Sequence, residues 1–150
     1  GASVVVPFLS DPHGSDPQLL LIRQYRYAAN DYLYELPAGR PNPSETPAEC
    51  AVRELREETG FGIERERLRD HSMRQVFGTL SSVGAFVYSA EITDEELRFF
   101  EAQAGQVHGV EEDSERTFTE IYKVGDLLTR PVTDWACLGM IFAALADAMR

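Results

Sequence analysis

The apolar positions of this 150-residue chain fall into short runs separated by turn formers, and each run has a readable period. Val4-Val5-Val6-Pro7-Phe8-Leu9 is nearly unbroken, the pattern of a buried strand, and Asp11 to Pro17 is the turn after it. Gln18 to Tyr27 predicts a second strand whose apolar half gives way to a polar, aromatic end. A third, Tyr32 to Leu36, leads through Pro37 and Ala38 to Gly39. The period then changes. Thr46, Pro47 and Glu49 have the form of an N-cap, a first helical position and a capping-box acid. Ala48, Cys50, Ala51, Val52 and Leu55 continue the helix to a stop at Gly60.

Leu68 to Phe77 and Val83 to Ile92 predict two more strands joined across Gly78 to Ser82. Thr93-Asp94-Glu95-Glu96 is a second capping box, opening a helix to Gln103 with Leu97 and Phe100 facing inward. A strand from Arg116 to Val124 follows, then a helical turn from Val124 to Leu128 that Pro131 breaks. The last helix runs from Thr133 to Met149. Its Trp135, Leu138, Ile141, Phe142, Leu145 and Met149 form an apolar stripe at helical spacing, the pattern of core or dimer contact rather than of a ligand site.

Composition narrows the class. The length and 43% hydrophobic content suit one domain over residues 1–150. A net charge of −11 argues against a nucleic-acid or anionic-membrane binder. No apolar run has the length of a membrane span and no signal peptide is present, while the missing initial Met predicts a processed or trimmed start. Cys50 and Cys137 lack metal-ligand spacing, so reduced thiols packed in helices, and a cytoplasmic protein, are the expectation. His13 lies among turn formers and reads as solvated.

The candidate chemistry is at the end of the first helix. Glu54, Glu57 and Glu58 stand at i, i+3 and i+4, so they project from one face beside the negative end of the helix dipole. Two readings account for them. One is a solvated acidic face partnered by Arg53 and Arg56; the other is a site for a hard divalent cation, Mg²⁺ above all. Spacing alone leaves both open.

The residues around them carry a resemblance. Gly39, Glu45, Arg53, Glu54, Leu55, Glu57, Glu58, Gly60 and Phe61 stand at the spacing of the Nudix box without departure, so the chain is identified as resembling the Nudix hydrolases. The resemblance implies an α/β (α+β) fold, an α/β/α sandwich around a mixed sheet. It also implies Mg²⁺, or Mn²⁺ in its place, held by Glu54, Glu57, Glu58 and the carbonyl of Ala38. Glu45 and Arg53 are then an ion pair joining loop to helix. Gly39 supplies a backbone conformation or close approach that a Cβ would obstruct.

RQYRY (Arg23 to Tyr27) followed by ELPAG (Glu35 to Gly39) is similar to the ADP-ribose pyrophosphatase branch of that family. The likeness implies hydrolysis of ADP-ribose to AMP and ribose 5-phosphate, with Arg26 on the diphosphate and Arg23 as a second substrate-binding residue. It implies a catalytic acidic loop after His108-Gly109, with Glu115 and then Glu112 as the base that joins Glu57 and Glu58 in catalysis. It also implies a homodimer, often built with an N-terminal sheet domain, although this chain starts almost at the first core strand. Tyr25 and Tyr27 read either as base-stacking or as packing aromatics. The sequence departs from the branch at Phe77, where a Pro is usual, and at Ser82, where an acid is usual. Other dinucleotides and sugar nucleotides (FAD, NADH, CoA, GDP-sugar) therefore remain as substrates, and a nucleotide-sensing domain without catalysis remains as a rival.

Overall fold

The computed structural model describes residues 1–9, 14–103, 105–110, 116–130 and 133–148. Seven strands among these residues form one mixed sheet. They are β1 (Ala2–Leu9), β2 (Gln18–Arg26), β3 (Asp31–Glu35), β4 (Ala38–Gly39), β5 (Arg69–Gln75), β6 (Gly84–Ile92) and β7 (Thr117–Lys123). The spatial order is β3-β2-β1-β6-β5, with β4 pairing β1 and β7 pairing β2. Strand β1 runs parallel to β6 over its whole length; all the other pairings are antiparallel.

The unbroken apolar run of β1 is explained by what lies on its two faces. Val4, Val6 and Phe8 pack with Leu19, Leu21, Val87, Leu127 and Ile141, under helices α3 (Val124–Thr129) and α4 (Trp135–Ala148). Val5 packs the other way, against Ala51 and Leu55 of α1 (Pro47–Thr59). Helix α2 (Asp94–Ala102) joins α1 on that side, where Phe100 meets Leu20 and Ile92 and Leu97 packs against them half-buried. Helices on both faces make the α/β/α sandwich that the sequence predicts, and alternation along each strand sorts the layers. No helix among the described residues is long and apolar enough to cross a membrane.

Both capping boxes form. Thr46 accepts from the Glu49 N–H while Glu49 reaches back to the Thr46 N–H, and Thr93 and Glu96 do the same for α2. Gly60 ends α1 in the left-handed region at φ 74°. Three features differ from the sequence reading. The two-residue strand β4 is too short to leave a pattern, and it exists because Ala38-Gly39 pairs with Ser3-Val4. Strand β5 is shorter than Leu68 to Phe77 and carries a bulge between Asp70 and Met73, with Ser72 at φ 69°. The stripe on α4 also splits: Ile141 is buried, while Trp135 is 89% and Phe142 72% exposed. Trp135 and Phe142 lie seven residues apart and so share a face turned away from the one that holds Ile141.

Candidate active site

The site begins where β4 enters the loop before α1. Strand β1 holds that entry in place: the Val5 N–H donates to the Pro37 carbonyl at 3.0 Å, and Gly39 pairs with Ser3. From this fixed point the Ala38 N–H donates to Glu58 Oε2 at 2.9 Å. Glu54 lies so close to Gly39 that a side chain there would overlap its carboxylate. Gly39 leaves room for the Glu54 carboxylate, a matter of close approach rather than of an unusual φ. Glu54 and Glu58 are only 8% and 3% exposed, which removes the reading of a solvated acidic face.

One cation organises the carboxylates. The Arg53 fork grips Glu45 through Nε at 2.8 Å and Nη2 at 2.9 Å. Its Nη1 donates to Glu54 Oε1 at 2.7 Å and to Glu57 Oε2 at 3.0 Å, and Nη2 also reaches the Arg40 carbonyl at 3.0 Å. The hydrogen bonds from Arg53 hold the Glu45 carboxyl down to about 2, and Glu45 in turn raises the Arg53 guanidinium. Glu45 also accepts from the Asn42 N–H at 2.8 Å, so the loop closes on itself before it meets the helix. Arg56, the other expected partner, forms no ion pair with these acids among the described contacts.

The far end of α1 is clamped by contacts that the sequence reading did not foresee, and one of the residues making them, Thr117, it did not single out. Thr117, wholly buried at the start of β7, donates its hydroxyl to the Glu58 carbonyl at 2.8 Å. The Gly109 N–H donates to the Glu57 carbonyl at 2.8 Å, and His108 and Thr117 exchange two backbone bonds of 2.9 Å. These bonds satisfy helix carbonyls that would otherwise lack partners. No spacing in the sequence signals them, because helix and strand are more than fifty residues apart. Glu112 and Glu115, the residues expected to supply the base, lie outside the described residues.

The two arginines of β2 occupy different places. Arg26 donates from Nε to Glu35 Oε2 at 2.8 Å and is half-exposed. Burial raises the Glu35 carboxyl against the pull of Arg26. Alternation along β2 puts Arg26 on the face of Leu20 and hence of α1. It puts Arg23 on the opposite face, with Leu19 and Leu21. There Arg23 donates to Glu120 at 3.1 Å and its guanidinium lies 4.8 Å from the Tyr32 ring centre and 4.5 Å from that of Phe118. The structure therefore sets Arg26, but not Arg23, on the side of the box helix. Tyr25 and Tyr27 meet edge to face at 5.2 Å, and Tyr25 donates to Asn30 Oδ1 at 2.7 Å.

The oxygen donors at the end of α1 suit a hard cation. One guanidinium nitrogen already touches both Glu54 and Glu57, so a single cationic centre can bridge these two carboxylates. Among the described residues no group of three or more His, Cys, Asp or Glu side chains is gathered as a ready cage.

Comparison with known proteins bears on the family and the fold. A family model described as NUDIX domain matches residues 1–136. "Putative nudix hydrolase 2" of Caenorhabditis elegans is 44% identical over 43 residues, which span 29% of this chain and 19% of that protein. Among solved structures, one described as an ADP compounds hydrolase superposes with a TM-score of 0.69 at 20% identity, covering 99% of this chain and 72% of that one. The NUDIX domain of Shewanella oneidensis NrtR, complexed with ADP ribose, superposes with a TM-score of 0.70 at 16% identity, covering 99% and 87%. At these identities the likeness is one of fold.

Proposed function

The chain belongs to the NUDIX domain family, and from that premise we propose that it hydrolyses the pyrophosphate bond of a nucleoside diphosphate derivative, with ADP-ribose first, giving AMP and ribose 5-phosphate. The observation that carries the reading is the arrangement around Gly39. Two buried carboxylates and a third beside them are drawn together by Arg53 and by the backbone of Ala38. A stable surface would not be built this way. The structural neighbours described as an ADP compounds hydrolase and as binding ADP ribose support the substrate class.

Glu54, Glu57, Glu58 and the Ala38 carbonyl would hold Mg²⁺, or Mn²⁺ in its place; when bound, such an ion neutralises the diphosphate and lowers the pKa of a nearby water. The chain's own residues do the rest. Arg26 exchanges Glu35 for the diphosphate oxygens and fixes the substrate's direction. Glu115 or Glu112 accepts the proton of the attacking water as its oxygen bonds to one phosphorus, and the anhydride oxygen leaves with the other phosphate. Arg53 and Gly39 stay outside the reaction and keep Glu54 and Glu57 at their separation. The two free thiols, Cys50 and Cys137, suit a reducing compartment such as the cytoplasm.

A second reading changes only the substrate. The hairpin between β5 and β6 presents Phe77 and Leu80 to solvent, at the turn where this sequence departs from the ADP-ribose branch. That departure keeps the other dinucleotides and sugar nucleotides in play as substrates. The purified chain with Mg²⁺ and a panel of ADP-ribose, NADH, FAD, CoA and GDP-sugars separates the readings by rate. Turnover of ADP-ribose above the others supports the first. Binding by calorimetry without product from any member would leave a sensing domain and end the hydrolase reading.

A further inference from the structure

A second cluster of chemistry lies on the α4 face of the sheet, away from the box helix. Strand β5 is exposed along its length except at His71, whose side chain is only 3% exposed. The bulge between Asp70 and Met73, with Ser72 at φ 69°, turns that side chain inward, as bulges re-aim a residue beside a site. Both ring nitrogens are engaged. Nδ1 lies 3.0 Å from Asp147 Oδ2 near the end of α4, and Nε2 lies 2.7 Å from Ser89 Oγ on β6. Arg69 holds Asp147 in place, through Nε at 3.1 Å to the same Oδ2 and Nη2 at 3.3 Å to its carbonyl. An ionised carboxylate can only accept, so neutral His71 carries its proton on Nδ1 and accepts the Ser89 hydroxyl proton at Nε2. Burial pushes the imidazole down from its ordinary 6.5 against the pull of Asp147, which keeps the ring neutral at pH 7.

The geometry points to a nucleophilic serine centre, with Ser89 as nucleophile, His71 as its base and Asp147 orienting the base, that acts on a short-chain carboxylic ester. The order of contacts carries it. Hydroxyl, imidazole and carboxylate stand in one hydrogen-bonded line, brought together from β6, β5 and α4. A place for the substrate lies beside them. A hollow of about 260 Å³ is lined by His71 itself, by Met140 of α4, and by Ala85 and Val87 on the face of β6 that also carries Ser89. Its volume is below the roughly 300–1,000 Å³ of sites for drug-sized ligands, so the acyl chain is short. Arg74 and Gln75 line the same hollow and supply N–H groups to the oxyanion. In the reaction, Ser89 Oγ bonds to the carbonyl carbon while its proton passes to His71 Nε2. The oxyanion then collapses, the C–O bond to the alcohol breaks, and His71 gives the proton to the leaving alkoxide. Water next attacks the acyl-serine, its oxygen going to the acid and its proton to His71, which returns it to Ser89. Ester and water become acid and alcohol, with no other reactant.

The purified chain in EDTA, which silences any hydrolysis that depends on a divalent cation, tests the proposal with two probes, p-nitrophenyl butyrate and a fluorophosphonate. The fluorophosphonate should attach to Ser89, as peptide mass spectrometry would locate it. Turnover of p-nitrophenyl butyrate should be level at neutral pH and fall as acid protonates His71, below pH 6.5. Ser89→Ala should remove the label. Ser89→Ala and Asp147→Asn should each lower kcat/KM for the ester about 10³-fold, the first by removing the nucleophile and the second by spoiling the tautomer of His71. Circular dichroism checks the fold of both variants, and labelling of the wild type decides the matter even where a variant does not fold. A wild type that takes up no label at Ser89 and releases no nitrophenolate overturns the proposal, and so does label or turnover that survives Ser89→Ala. Neither outcome touches the pyrophosphatase reading, whose carboxylates belong to α1 on the other face of the sheet.

Discussion

Helices α1 and α4 lie on opposite faces of one sheet and break the usual surface rule in opposite directions. At the end of α1 two carboxylates are buried; along α4 a tryptophan and a phenylalanine are exposed. Neither arrangement stabilises an isolated monomer. Burying Glu54 and Glu58 costs solvation, which the hydrogen bonds of Arg53 and Ala38 offset. Leaving Trp135 in water forgoes burial worth about 2 kcal/mol or more. The difference is one of chemistry: under the proposed function the carboxylates of α1 serve a cation and an anionic substrate, whereas the exposed residues of α4 offer only apolar surface. The α1 site is held by a polar network that loses much when one member goes. Trp135 and Phe142 of α4 face solvent, so substitutions at these two positions should change stability little.

The largest expected effect is on catalysis at α1. Glu57→Gln or Glu58→Gln should lower kcat about 10³-fold with the fold intact, as several kcal/mol of transition-state stabilisation go with one charge. Steady-state rates beside an unfolding curve check this; retained activity would remove these residues from the ligand set. Gly39→Ala comes next. Its methyl overlaps Glu54, so Glu54 must turn away, and the rate should fall about 100-fold. A near-wild-type rate would show that Glu54 can shift without consequence.

Arg53→Ala should then show the network's weight in stability. It leaves Glu45, Glu54 and Glu57 without their shared cation, and urea unfolding should report a loss of about 3 kcal/mol, the lower end for a broken buried pair because Arg53 is a quarter exposed. Glu45→Gln gives a smaller, pH-dependent version. Arg53 holds the Glu45 carboxyl at about 2, below its ordinary 4.5. Its contribution to stability is complete above pH 4.5 and disappears as pH falls towards 2. The wild type should lose stability over that window and Glu45→Gln should lose less, as acid titrations followed by circular dichroism would show. Smallest of all, Trp135→Ala should change monomer stability by no more than about 0.5 kcal/mol. A large loss there would mean that α4 needs Trp135 for its own fold, and the contrast between the helices would fail.

The fold was legible wherever local pattern and burial agree. The apolar run of β1, the capping boxes at Thr46 and Thr93 and the stop at Gly60 all stand where the residues place them. Strand β4 was not legible, since two residues have no period and exist as a strand only because β1 lies alongside. The site was legible as a list of residues: Gly39, Glu45, Arg53, Glu54, Glu57 and Glu58 are within one stretch of chain. The Thr117 hydroxyl on the Glu58 carbonyl was not, because a threonine in a strand is ordinary until the fold brings it to a helix end. RQYRY offered Arg26 for the diphosphate and Arg23 as a second substrate-binding residue; period-two alternation in the sheet turns Arg23 away from the box helix.

The sequence by itself therefore determined most of the elements and the order of the chemistry along the chain. These follow from short-range rules of backbone freedom, capping and periodicity, which act within a few residues. Tertiary structure alone decided which carboxylates are buried, that Arg53 joins Glu45, Glu54 and Glu57, and which half of the α4 stripe the core takes. Those outcomes depend on desolvation and on distances across the sheet, between residues far apart in the chain.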